Sequence, residues 1–205
     1  FLNIYLMKSF ISAYLTPAKV AFFSLAQDRA TLIEKIASSV NVLLYPKVSN
    51  SNQIDSITIT TKAFRVILIL TTISSIALAI IIKPLVLIMY GKPFLPMVLP
   101  FLLIIPGVLF SGTTSVFTSY FQGSGRADLV MKLSIFPLIL QIILGFILIR
   151  YFDIFGAAIS FSFGMILFSG LQIFFFLKLS KTSFKELIPV YSDYLYIYNF
   201  FKLKF

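Results

Sequence analysis

The chain has 205 residues, 59% of them hydrophobic and 12% charged, with a formal net charge of +10 and a mean hydropathy of +1.00. That hydropathy is far above a soluble domain's, and the apolar residues come in runs long enough to cross a bilayer, so the class is an all-α, polytopic transmembrane helical bundle. With no Cys and no His, disulfides, Cys-based nucleophiles and metal sites, and the commonest general base all drop out.

The chain opens at Phe1, without Met, inside an apolar stretch. The expectation is a fragment that starts partway along a membrane helix, with a truncated first span over residues 2–15. Lys8 lies in that span and is read as snorkelling to the interface or as a ligand. A second helix is predicted from Pro17, a good first-turn residue, to residue 44 or 45, with Pro46 as its stop. Ser24, Gln27, Asp28, Thr31, Glu34, Lys35, Ser38 and Asn41 recur along it at steps of mostly three and four residues and so share one face. Ionisable groups at bilayer depth face a bundle interior or water. The stripe therefore reads either as an internal ion-pair network of Asp28, Glu34 and Lys35 or as the wall of a hydrophilic lumen. Arg29 points nearly opposite and must meet a neighbouring helix or a second wet surface.

Residues 47–61 are predicted to form a polar connector and 62–90 a third, almost wholly apolar helix. The stretch 93–126 is the one around which the chain is organised. It is apolar yet holds Pro96, Pro100 and Pro106, and behind Pro106-Gly107 run Ser111, Thr114, Ser115, Thr118 and Gln122. A bent helix of this kind survives in lipid only where protein or a wet cavity covers the freed carbonyls. It reads as a cavity-lining element hinged at Pro100, Pro106 and Gly107, against the simpler reading of hydroxyls bonded back to their own helix. Gly123-Ser124-Gly125-Arg126 closes it with a tight basic turn, and no Lys-Ser/Thr pair follows to make a phosphate loop. A fifth helix is predicted over 128–152, with Ser134, Pro137 or Leu138, Gln141 and Gly145 as a packing seam, and a sixth over 156–179, rich in small residues. Phe174, Phe175 and Phe176 are expected to face lipid. Residues 1–179 thus form a bundle of about six helices, and 180–205 a basic and aromatic tail along the interface.

With the tail in the cytoplasm, that side holds ten basic residues: Lys47, Lys62, Arg65, Arg126, Lys132, Lys178, Lys181, Lys185, Lys202 and Lys204. The other side holds four, Lys19, Lys83, Lys92 and Arg150. The bias has the sense of the positive-inside rule, so the charge is an orientation signal and nucleic acid is not expected as a partner. Only Asp28 and Glu34 lie close together within a span, so no carboxylate cluster supports metal-assisted or general acid–base chemistry and no enzyme is expected.

Several short motifs in fixed order resemble one family. They are T-P-A-K-V-A-F-F-S-L-A (16–26), L-Y-P-K-V-S (44–49), M-Y-G-K-P-F (89–94), Pro106-Gly107, Y-F-Q-G-S-G-R (120–126), F-G-A-A-I-S (155–160) and L-I-P-V-Y-S-D (187–193). Together they resemble Wzx-type polysaccharide-repeat-unit flippases of the multidrug/oligosaccharidyl-lipid/polysaccharide exporter superfamily. The resemblance implies the second six-helix bundle of a twelve-helix, MATE-like transporter of the bacterial inner membrane. It also implies an undecaprenyl-diphosphate-linked oligosaccharide cargo moved to the periplasmic leaflet by alternating access. The implied partners are membrane lipid, the cargo, the N-terminal half of the same protein and the polysaccharide polymerase machinery. No bound cofactor or metal is implied, and coupling to H+ or Na+ fits the superfamily. Lys35, Arg29 and Lys8 are the basic residues that would meet a diphosphate, with Asp28, Glu34, Thr31 and Ser38 beside them. A cation-coupled multidrug exporter, using Asp28 or Glu34, and a non-transporting scaffold of a glycan-assembly complex are the alternative expectations.

Overall fold

A computed structural model describes residues 11, 12, 14–190 and 193, so Lys8 and most of the tail lie outside the described residues. Every regular element among the described residues is helical. In chain order these are α1 (Pro17–Ala30), α2 (Leu32–Ser49), α3 (Gln53–Met89), a 3-10 turn (Lys92–Met97), α4 (Val98–Gly123), α5 (Ala127–Ser180) and a second 3-10 turn (Phe184–Leu187). Among the described residues three stretches are long and apolar enough to cross a membrane: Gln53–Met89, Lys92–Gly123 and Ala127–Ser180. By length and composition the chain is a membrane protein.

Two boundaries differ from the sequence reading. Pro46 does not stop the second helix; it lies inside α2, which runs on to Ser49. The polar connector shrinks accordingly, because Asn52 accepts a hydrogen bond from the Asp55 amide (2.9 Å) and starts α3 at Gln53. An Asn in this position satisfies one of the amides a helix start leaves open. The hydroxyls that made 47–61 look like a loop are turned back onto the helix, as with Thr60 to the Ser56 carbonyl (2.7 Å).

The prolines of α4 are not equivalent. Pro96 lies inside the 3-10 turn, ahead of α4, and Pro100 in the first turn of α4, where a helix has no intrahelical acceptor for its missing N–H. Only Pro106 interrupts the ladder. The far end of α4 closes in a Schellman motif. Gly125 takes φ +73°, Arg126 N donates to Phe121 O (2.7 Å), and Gly125 N donates to Gln122 O (3.1 Å). A left-handed residue is what that motif requires, and glycine adopts it without a Cβ clash.

α5 is two arms, not one rod. Asp153 has φ 58° and ψ −134°, and the arms 127–152 and 154–180 fold back on each other there. Their closeness shows at two glycines. A Cβ on Gly164 would lie 2.2 Å from Gln141 Oε1, and one on Gly156 would lie 2.2 Å from Leu148 O. The predicted seam of Pro137, Gln141 and Gly145 is the buried face of the first arm. Lys19 forms an ion pair with Asp153, tying the start of α1 to the reversal.

α4 is the hub and packs against each of the other α-helices. Pairings along it run parallel with the second arm of α5 (Gly107 with Ser162, Thr114 with Ser169, Thr118 with Gln172) and antiparallel with α3 (Thr113 with Thr71, Phe117 with Phe64). Phe176 corrects the lipid-facing reading of its triplet. It is wholly buried, stacked on Phe117 (4.4 Å between centroids) and edge-on to Tyr120, while Phe174 is exposed. The 3-10 turn Phe184–Leu187 folds back over the bundle end, burying Leu187, and Arg65 holds it by donating to the Glu186 carbonyl (2.6 Å).

Two glycine substitutions separate tight from loose packing. A Cβ at Gly107 would meet Ser162 Cα at 2.6 Å, whereas one at Gly170 meets nothing within 4 Å. Gly107→Ala should destabilise by about 1–3 kcal/mol. Gly170→Ala should stabilise by up to about 1 kcal/mol through helix propensity. Thermal unfolding of the full chain in detergent checks both signs.

Candidate functional site

The polar stripe of 24–41 is carried by α1 and α2, which meet at Thr31. The structure divides this stripe into two faces. Gln27, Glu34 and Asn41, seven residues apart, turn toward the bundle. Gln27 is wholly buried, Glu34 lies against α4, with its Cγ 3.8 Å from where a Cβ on Gly112 would stand, and Asn41 Nδ2 donates to Ser115 Oγ (2.7 Å). Asp28, Lys35 and Ser38 lie on the outer face and are exposed. A seven-residue step advances a helix by nearly two whole turns, so each triplet keeps its own line. Adjacent positions such as 27 and 28, or 34 and 35, diverge by about 100° and end on different surfaces.

This division bears on the ion-pair reading. Among the described residues Lys35 has no ion pair, and the Glu34 carboxyl is turned to α4 rather than to Lys35. The hydroxyls of Thr31 and Ser38 donate to the Asp28 carbonyl (3.0 Å) and the Lys35 carbonyl (2.8 Å). They present lone pairs, not protons, to whatever faces them. The outer line is thus one carboxylate, one ammonium and two acceptor hydroxyls on the surface of an otherwise apolar bundle. Arg29 points elsewhere, as its position requires. Its guanidinium donates to the Tyr90 hydroxyl, with Nε at 3.1 Å, and lies 5.8 Å from the centre of that ring. It anchors α1 to the end of α3 and is not beside Lys35.

The stripe of α4 does not share one polar cavity: Thr114 borders a small apolar pocket, Gln122 is exposed, and the others meet neighbouring helices. Thr114 donates to Ser169 (3.1 Å), Thr118 accepts from Gln172 Nε2 (2.6 Å), Ser115 accepts from Asn41, and Ser111 meets Glu34. α4 keeps an exposed side at Leu99, Leu102, Pro106 and Phe110 and meets different helices around the rest of its circumference, so side chains that look like one stripe in sequence reach different neighbours. Thr113, outside the predicted stripe, joins Thr71 at 2.9 Å. Ser162 and Gln172 lie among the small and polar positions expected to pack the sixth helix, and Ser169 lies outside them. Their offset of about 55 residues from their partners on α4 is not marked by any local motif.

At the bend the arrangement is specific. Pro106 has no N–H for the carbonyl one turn back. The next amide, Gly107 N, donates to Ser162 Oγ at 2.8 Å, and the missing side chain at 107 lets the second arm of α5 approach closely. Pro106 is exposed and Gly107 buried, so the bend opens on one side and is latched on the other. Pro100, in the first turn of α4, is buried and introduces no such break.

Gln27 has no hydrogen-bond partner for either side-chain atom. Comparison of the chain with protein-family models, with curated proteins and with solved structures gives no match. No group of three or more acidic residues that could hold a metal ion occurs among the described residues.

A buried, unpaired amide costs about 1–3 kcal/mol. Gln27→Leu, similar in size and apolar, should therefore raise stability by about 1 kcal/mol or more, whereas Asn41→Leu, which removes the hydrogen bond to Ser115 between α2 and α4, should lower it. Thermal unfolding of the two variants in the same detergent measures the contrast.

Proposed function

We propose that the chain is one half of a transporter that moves a lipid-linked oligosaccharide across the membrane by alternating access, as the resemblance to Wzx-type flippases implies. The observation that carries this reading is the exposed line of Asp28, Lys35 and Ser38 on a bundle whose remaining exterior is largely Ile, Leu, Phe and Val. Charged groups exposed on the side of an apolar bundle are costly in lipid. They are tolerated when a second bundle encloses them in water, which is where the N-terminal half of a MATE-like transporter would stand. The latched bend at Pro106 supports the same reading. It is a discrete point about which one end of α4 can tilt while the 3-10 turn and the second arm of α5 follow.

In this proposal the count is about six spans in the bacterial inner membrane, with the basic end cytoplasmic. Lys35 is the residue that meets the cargo's diphosphate. Arg29 holds the outer end of the bundle through Tyr90, so its role is to position α1. Asp28 and Glu34 keep the wall from being strongly cationic, and Glu34 lies against the hub helix.

Lys35→Ala in the full-length parent protein should reduce surface polysaccharide at least severalfold and accumulate lipid-linked oligosaccharide on the cytoplasmic leaflet, with membrane abundance unchanged. Leaflet accessibility of the labelled oligosaccharide is the measurement. Normal export in a strain with no second flippase would overturn the assignment. Drug resistance conferred by the parent gene would favour the exporter reading.

A further inference from the structure

A cavity of about 330 Å³ opens at the basic end of the bundle, between the end of α2, the start of α3 and the end of α4. Ser49, Gln53, Tyr120, Ser124 and Arg126 supply its polar wall, and no carboxylate lines it. We propose that this cavity binds a phosphate ester, taken from the headgroup of an anionic phospholipid or from soluble phosphate. The proposal does not rest on the transport reading.

The donor set suits one tetrahedral anion. Arg126 makes no ion pair among the described residues. Its guanidinium presents a planar fork of N–H groups that matches phosphate oxygens. The Schellman turn fixes the Arg126 backbone by its bond to Phe121, which aims the side chain from a rigid point. Tyr120 and Ser124, four residues apart at the end of α4, both line the wall. Ser51 and Ser56 donate to the Lys47 and Val48 carbonyls. Free donation therefore comes from Arg126, the Gln53 amide, Ser49, Tyr120 and Ser124. The cavity also sits at the start of α3, whose dipole favours an anion. Asp55, in that turn, does not line it. Lys47, in the last turn of α2, adds positive charge at this end, which raises the local anion concentration. The position matters as much as the donors. The cavity lies where apolar helices end, at the level of phospholipid headgroups. Its volume is at the lower end of small-ligand sites, enough for a headgroup but not for an acyl chain.

Native mass spectrometry of the detergent-solubilised full chain tests this. Dioctanoyl phosphatidylglycerol is titrated beside dioctanoylglycerol, which lacks the phosphate, and inorganic phosphate. The wild type should retain the phospholipid and not the diacylglycerol. Arg126→Gln should weaken binding roughly tenfold or more, and Lys132→Gln, at the same end but paired with Asp128, should not. Gln53→Glu is the second variant. A carboxylate in a first turn favours the helix, so this change keeps the fold while repelling the anion, and it should also abolish retention. Inorganic phosphate that binds the wild type as tightly as the phospholipid assigns the soluble source; binding of the phospholipid alone assigns the membrane. Equal retention of diacylglycerol, no retention by the wild type, or retention unchanged in Arg126→Gln or Gln53→Glu overturns the proposal.

Discussion

A proline inside an apolar helix sets the constraint on which this bundle depends. Pro106 leaves a carbonyl without its donor and pushes the helix open, and a backbone opened in an apolar medium has no water to repair it. Ser162 latches the opening by accepting the Gly107 amide, and it can reach only because position 107 has no side chain. The second arm of α5 must therefore cross α4 at that height and no other. Once Ser162 is opposite Gly107, the bonds of Thr114 with Ser169 and Thr118 with Gln172 fall into register, two and three turns further on.

The remaining helices are fixed by the same hub. α3 lies antiparallel through Thr71 with Thr113 and the stacked pair Phe64 and Phe117. α2 lies parallel through Asn41 with Ser115. The reversal at Asp153 is then dictated by geometry. The first arm must return beside the second within one residue, and Gly156 and Gly164 let the arms close on each other. Asp153 carries a positive φ that a side chain adopts less readily than glycine. Its ion pair with Lys19 holds the turn to α1.

Function, in the proposed reading, is built on what this packing leaves over. Polar groups that the hub engages hold helices together; polar groups it does not engage remain at the surface. Glu34 and Lys35 are neighbours in sequence and belong to different classes for that reason. The same logic separates the Ser51 and Ser56 hydroxyls, turned into their own backbone, from Arg126 and Gln53, which remain free to meet a ligand.

The helical class, the apolar lengths, the turn at Gly125 and the divergence of Arg29 from the polar stripe were legible in the sequence, because each follows from local chemistry: hydropathy, a missing Cβ, or a 100° step per residue. The end of α2 and the start of α3 were not, since Pro46 and the hydroxyls of 47–61 look like loop signals until the surrounding packing turns them inward. Nor was the division of the polar stripe legible. A helical wheel ranks Gln27 and Asp28, or Glu34 and Lys35, as one face, and only the position of α4 decides which of each pair is buried. Ser162 and Arg126 had no local signature either. Their roles depend on partners at the far end of the chain or across a cavity, and such pairings come into being only when the helices pack.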